Sequence, residues 1–315
     1  MHPSGEEHYT MDLFHTTNRI TLHRNAIPTS AARRRRYSGA AWIIGGLTLS
    51  SGCARLPPGQ NSSIALSGHR LHVIIPFRDR INSNYTYFFL INYDQSQGVI
   101  GNQNAPGPVP VINPFSSSQG QTFGNGFAAS SSGDATPGFT DFVRFDINGY
   151  QLLHVSSSDR TGKTFIPEGR PDTFFLPGPN NPNQLEFTVD LSHLVAAASG
   201  GQLSATDTTT QAQNIKWLQV NIVATNFIPV DLTPPGVKQV DSLGNTQGGV
   251  GSFLNLNVLF DHTYLNGDPL LSSTSFEPAD NDVYTNGISG IGDESLDITQ
   301  NYSISVTTNT TGTQP

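Results

Sequence analysis

The sequence predicts an all-β fold, an antiparallel β-sandwich with long loops and one short helix. Three observations carry that prediction. Gly and Pro recur throughout, 31 and 21 of 315 residues, and only 13% of the chain is charged, a composition that does not sustain long helices. Beyond residue 52 Asp outnumbers Glu seventeen to four, which suits a turn-rich chain, because Asp bonds its own backbone in turns. Several short runs also alternate apolar and polar residues with the two-residue period of a strand.

The elements follow in order. Leu71 to Phe77 is the first strand, with Val73 and Ile75 on one face. Asn84 to Tyr93 puts Tyr85, Tyr87, Phe89, Ile91 and Tyr93 on one side and Phe88 and Leu90 on the other. Both faces are apolar, which predicts a central strand. Residues 94–138 read as a long irregular region with a short strand at Val109 to Ile112. Phe139 to Ile147 and Tyr150 to Val155 flank Asn148-Gly149, a pair that tolerates positive φ and signals a hairpin. Val143, Phe145 and Ile147 are then expected in the core.

Gln184 to Leu191 alternates, with Leu185, Phe187, Val189 and Leu191 predicted inward and Glu186, Thr188 and Asp190 outward. Ser192 to Ser199 predicts the helix, capped by Asp190 or Ser192 and ended by Gly200-Gly201. Ile215 to Thr225 buries Leu218, Val220, Ile222 and Ala224, and places Ile215 and Trp217 on the opposite face. Ile298, Tyr302, Ile304 and Val306 mark the last strand. No fixed-period repeat is present, which argues against a propeller or β-helix.

Arg33 to Cys53 is of a different kind. Four consecutive arginines precede Tyr37 to Gly52, an uncharged stretch of mostly small or apolar residues. A basic segment, an apolar segment and a small-residue site together form a secretory signal. The stretch is shorter than the ~20 apolar residues of a membrane span. Its end, Leu49-Ser50-Ser51-Gly52-Cys53, resembles a bacterial lipoprotein signal peptide. In that family a cysteine after a small residue is lipidated and begins the mature chain. Gly52 and Ser51 fit the motif; Ser50 departs from it, the usual leucine standing one place earlier at Leu49. Arg34-Arg35-Arg36-Tyr37 also approximates a twin-arginine signal. Cys53 is the only cysteine, so no internal disulfide is possible and the resemblance implies a lipid on its sulfur.

This divides the chain into an n-region and signal (1–52), a lipidated tether (53–69), a β-sandwich domain (70–306) and a flexible tail (307–315). Removing residues 1–52 takes away six arginines and three acids, leaving ten basic residues against twenty-one acidic ones. Such an acidic chain with three lysines is no partner for nucleic acid, whose binding rests on basic contacts to phosphate. The expected partners are the membrane, through the lipid, and a carbohydrate or an envelope protein.

Candidate chemistry is sparse. Gly162-Lys163-Thr164 lacks the leading glycine and the helix of a phosphate loop. Neither G-x-S-x-G nor H-E-x-x-H occurs, and the histidines beyond the signal are scattered. Paired carboxylates for glycoside cleavage remain open, since Asp is abundant in loops. The densest acidic stretch is Glu277 to Asp297. Within it Asp280, Asp282, Asp293, Glu294 and Asp297 could supply oxygen ligands to Ca²⁺, although Tyr284 and Ile291 break the EF-hand pattern. A solvated acidic loop is the plainer reading. Trp217, the one tryptophan beyond the signal, is either a sugar platform or cover for a second layer. No other cofactor is indicated.

GPVPVI, GFTDFVRFDINGY, NFIPVD, VDSLG, FEPADNDV, SLDI and YSISV together resemble segments of uncharacterised bacterial lipoproteins. The acidic loop followed by a D-I strand is also similar to DOMON-like and carbohydrate-binding sandwich modules. Modules of that kind bind haem or sugars, or have no known ligand. Export, charge, the sandwich pattern and the lack of catalytic motifs predict a non-catalytic surface protein that binds a carbohydrate or another surface component. Met1 and Met11 both precede the cleavage site, leaving no methionine as a haem ligand. A structural or assembly role in the envelope and a hydrolase with a distributed acidic site are the alternatives.

Overall fold

The computed structural model describes residues 66–93, 107–110, 128–130, 138–155, 165–226, 239–246, 252–285 and 292–308. Cys53 with its signal, residues 111–112 of the expected short strand, and Gly162-Lys163-Thr164 lie outside these. The strands are β1 (Arg70–Pro76), β2 (Thr86–Asn92), β3 (Pro108–Pro110), β4 (Ala128–Ser130), β5 (Asp141–Asp146), β6 (Gly149–Val155), β7 (Phe165–Gly169), β8 (Thr173–Phe175), β9 (Gln184–Asp190), β10 (Trp217–Thr225), β11 (Gln239–Ser242), β12 (Leu254–Asn257), β13 (His262–Leu265), β14 (Tyr284–Thr285) and β15 (Ser303–Thr307). Two helices, α1 (Ser192–Ala198) and α2 (Ala205–Gln213), join β9 to β10.

Every strand pairing is antiparallel. One sheet runs β13-β15-β1-β9-β8 and the other β14-β11-β10-β2-β5-β6-β7, with β12 also on β10. Their facing sides make one core. It holds Val73 and Ile75 of β1, Phe89 and Ile91 of β2, Val143 of β5, Phe187 of β9 and Ile222 of β10. Phe89 and Phe187 meet edge to face across the two sheets at 5.6 Å, the geometry that ring quadrupoles favour. The predicted sandwich is therefore the observed fold.

β2 is central, between β10 and β5. Its other side, Phe88 and Leu90, packs with Phe142, Leu153 and Val223 in a second buried cluster. On that side Asn221 of β10 donates to the carbonyl oxygens of Pro108 and Ser252, fastening β3 to the sheet.

Four expectations need correction. The β5–β6 register pairs Asp146 with Gly149, so the turn residues are Ile147 and Asn148, one place earlier than Asn-Gly suggests. Gly149 takes the positive φ, +78°, and Ile147 is 71% exposed instead of in the core. Ile215 precedes β10, is free of its alternation and joins the main core. A second helix is present: the Ser204 hydroxyl accepts from the Asp207 N–H at 3.2 Å and donates to the Asp207 carboxylate at 2.6 Å, capping α2. Asp190, expected outward, is fully buried.

Asp190 is buried because donors surround it. The Ser67 and Gly68 N–H groups, the Ser192 N–H and the Ser67 and Ser192 hydroxyls all bond its carboxylate. Burial pushes its carboxyl up, but these bonds outweigh that and hold it below the ordinary carboxylate range.

The registers also give the sandwich two poles. Arg70 lies opposite both Asp190 and Thr307, so the domain's first and last strands meet at one pole. At the far end of β1, Pro76 pairs with Gln184 and Phe77 bridges Ile298. The Phe77 ring contacts Tyr87, near the start of β2, at 4.9 Å, and Tyr87 pairs with Phe145 beside the β5–β6 turn.

Candidate functional site

The β5–β6 turn and the segment around β8 enclose a groove of about 490 Å³ at this far pole, within the ~300–1,000 Å³ range of small-molecule sites. Aromatic rings line it: Phe145 against Tyr150 at 4.8 Å, and Tyr150 against Phe174 at 5.3 Å. Tyr150 is fixed at its hydroxyl, which accepts from the Glu186 N–H at 3.0 Å and donates to the Phe175 carbonyl at 3.3 Å. The Arg170 guanidinium lies 5.8 Å from the Phe174 ring centre, a cation–π contact. Asp146, Asn148 and Ser83 add polar groups, and Ile147 and Leu176 are exposed among the lining residues. Asp146 is the one carboxylate among those residues, and no histidine is among them. Phe145 and Tyr150 are buried beneath the groove, so the half-buried Phe174 ring is the face that can stack on a sugar while the polar groups bond its hydroxyls; among the described lining residues there is no acid–base pair for cleavage.

The same pole carries a buried acidic centre. Asp241 of β11, Glu277, Asp282 and Asp297 each bring a carboxylate oxygen within 4.8 Å of the others. All four residues are buried. Each is held from behind. The Thr246 N–H donates to Asp282 at 2.7 Å and the Gly244 N–H to Glu277 at 3.1 Å. The Ile298 N–H and Thr246 hydroxyl bond Asp241 at 2.8 and 3.1 Å, and Arg78 pairs with Asp297. One oxygen apiece on Glu277, Asp282 and Asp297 stays buried without a partner. Burial, then the neighbouring negative charges, push Asp241 and Glu277 well above the carboxylate range. Burial also raises Asp282 to about 6, and raises Asp297 in spite of Arg78.

Two of the five acids expected as ligands, Asp282 and Asp297, belong to this centre. Asp280 and Glu294 are exposed, and Asp293 accepts from the Tyr85 hydroxyl at 2.7 Å. Sequence reasoning did not name Asp241 or Glu277 as ligands. The sequence offered little signal: Asp241 stands in the mostly polar strand Gln239-Val240-Asp241-Ser242, and Glu277 follows the half-buried Phe276. Trp217 is half-buried at the start of β10, opposite Asn257, and does not line the groove.

A second set of titratable groups, Asp141, His154 and Glu168, gathers at the opposite ends of β5 and β6. His154 Nδ1 lies 2.7 Å from Asp141. Glu168, at a bulge in β7, has both carboxyl oxygens buried. Burial, then the charge of Asp141, push Glu168 up to about 10, so it carries a proton at neutral pH. His69 is structural: its ring bonds the Ala212 and Val258 carbonyls. His72 faces outward and pairs with Glu186.

Comparison with protein-family models, curated proteins and solved structures finds no match to this chain. Among the described residues, no helix is long and apolar enough to cross a membrane.

Proposed function

We propose that the chain is an exported, lipid-anchored envelope protein whose β-sandwich binds a carbohydrate, without catalysis, in the groove beside the β5–β6 turn. The groove itself carries this reading. The half-buried Phe174 ring, backed by the buried Phe145 and Tyr150, supplies a stacking face, Arg170, Asp146 and Asn148 supply hydrogen-bonding edges, and the described lining holds no acid–base pair. The basic and apolar run from Arg33 to Cys53 supports export and lipidation. A glycan array probed with the full chain tests the binding. Retention of a glycan class that is lost on Arg170→Ala supports it; no binding to any glycan overturns it. Intact mass of the protein extracted from membranes tests the anchor: a diacylglycerol-modified Cys53 at the N-terminus supports it, and an unmodified cysteine ends it.

One observation favours a second reading, an assembly role. β13 is an edge strand, and Leu259, Phe260, Leu265 and Leu270 are exposed on and around it. Unpaired edges with apolar side chains invite pairing with another chain. A stoichiometric partner recovered from membranes, and lost on Leu265→Lys, supports that role. A monodisperse monomer without partners counts against it.

A further inference from the structure

We infer that Asp241, Glu277, Asp282 and Asp297 form a Ca²⁺ site that staples the loops of the far pole. The site itself is argued from the acidic centre and is independent of what the groove binds; only the supply of Ca²⁺ rests on the proposed export.

Four carboxylates out of water repel one another strongly, and ionised carboxylates at such depth persist only when paired or coordinating a metal. Among the described residues the one cation bonded to them is Arg78, which contacts Asp297 alone. The imbalance has two physical remedies, protons on the carboxyls or a cation between them. The Glu277 and Asp282 carboxyls lie in hydrogen-bonding reach of each other, a contact through which one proton can be shared, but the open oxygens favour the cation. On Glu277, Asp282 and Asp297 a backbone N–H or Arg78 fixes one oxygen and leaves the other buried and unpartnered. That is how an outer shell aims a ligating carboxylate. The Tyr302 hydroxyl, also buried and unpartnered, lies within electrostatic reach of Glu277.

Size and donor type choose the ion. All four donors are carboxylate oxygens, with no nitrogen or sulfur among them, which suits a hard cation. The four oxygens lie within 4.8 Å of one another, inside the ~5 Å that ligand oxygens span across a Ca²⁺ ion. Mg²⁺ gives up its waters reluctantly and is held by one or two carboxylates more readily than by a buried set of four, so the donor count favours Ca²⁺. The four ligands come from β11, the chain after β13, the approach to β14 and the turn before β15, so one ion would tie together segments that are distant in sequence. An exported protein meets millimolar Ca²⁺, the range in which extracellular calcium modules work.

The test is calorimetric titration of CaCl2 and of MgCl2 into the EDTA-stripped full chain, with Tm read alongside. The expected result is one Ca²⁺ per chain, at least tenfold weaker Mg²⁺ binding, and a rise of about 5–10 °C in Tm at a hundredfold excess of Ca²⁺ over Kd. Glu277→Gln should lose at least tenfold in Ca²⁺ affinity, while Asp280→Asn, outside the centre, should keep it. Absence of heat and of a Tm shift with millimolar Ca²⁺ overturns the site and leaves protons as the remedy, as does a Glu277→Gln protein that binds like the wild type. The wild-type titration decides the matter even if the Gln variant fails to fold.

Discussion

The Ser67 hydroxyl donates to the Asp190 carboxylate at 2.6 Å, joining residues 123 apart in sequence at the point where the chain enters its first sheet. The same oxygen accepts from the Ser67 and Ser192 N–H groups, so one carboxylate holds the start of β1 against the start of α1. Asp190→Ala leaves those donors buried and unpaired. It should cost about 3 kcal/mol, read as a lower urea midpoint at pH 7. Because the folded carboxyl lies below its unfolded value of 3.8, its contribution is present above that pH and is lost on acidification. The gap between wild type and variant should therefore narrow as pH falls below about 4.

Glu168 gives the opposite sign. Its folded carboxyl, near 10, lies far above the unfolded 4.5. The unfolded chain releases this proton from pH 4.5 upward while the folded chain keeps it, so stability falls as pH rises across that window. Glu168→Gln stays neutral throughout. Relative to wild type it should gain stability between pH 5 and pH 9, by at most about 1.4 kcal/mol per pH unit. Urea midpoints at several pH values check this, and parallel curves for the two proteins would refute it.

Gly244 sits at φ +89°, where a Cβ would come within 2.5 Å of the Thr274 carbonyl oxygen. Its N–H also holds Glu277 in the acidic centre. Gly244→Ala combines a left-handed backbone with a backbone clash and should cost about 2–4 kcal/mol. Gly149→Ala, also left-handed at +78° but with nothing near its Cβ, should cost less, about 1 kcal/mol. Thermal unfolding of the pair separates the clash from the dihedral.

Phe174 is half-buried in the groove wall between Tyr150 and Arg170. Phe174→Ala should remove a stacking face worth about 1–2 kcal/mol and weaken glycan binding roughly tenfold. Trp217→Phe, away from the groove, should leave that affinity unchanged. Equal losses in both would move the binding surface to β10.

Much of the fold was legible because alternation is a local signal. β1, β2, β9 and β10 fall where apolar residues recur every second place, and the two apolar faces of β2 foretold its central position. The misses come from forces acting over longer range. Asp190 reads as solvent-facing until Ser67 and Ser192 are brought to it. Ile147 reads as core because the turn register is set by pairing, Asp146 opposite Gly149 with Gly149 at φ +78°, and that pairing puts Ile147 in the turn. Ser204-Ala205-Thr206-Asp207 did carry a helix signal, masked by the low helix propensity of the threonines that follow. For the acidic centre, Asp282 and Asp297 stood in one acidic stretch. Asp241 reaches them only because β11 pairs with β14, a neighbourhood that no local pattern states.

The two poles set a spacing inside the domain. β1 starts at Arg70, beside the last strand, and its seven residues span about 23 Å before the far pole is reached. Groove and acidic centre both lie at that far pole, a strand's length from the place where the first and last strands meet. An ion or ligand bound there would therefore be felt first by the far-pole loops, and only through the length of the sheets by the opposite pole.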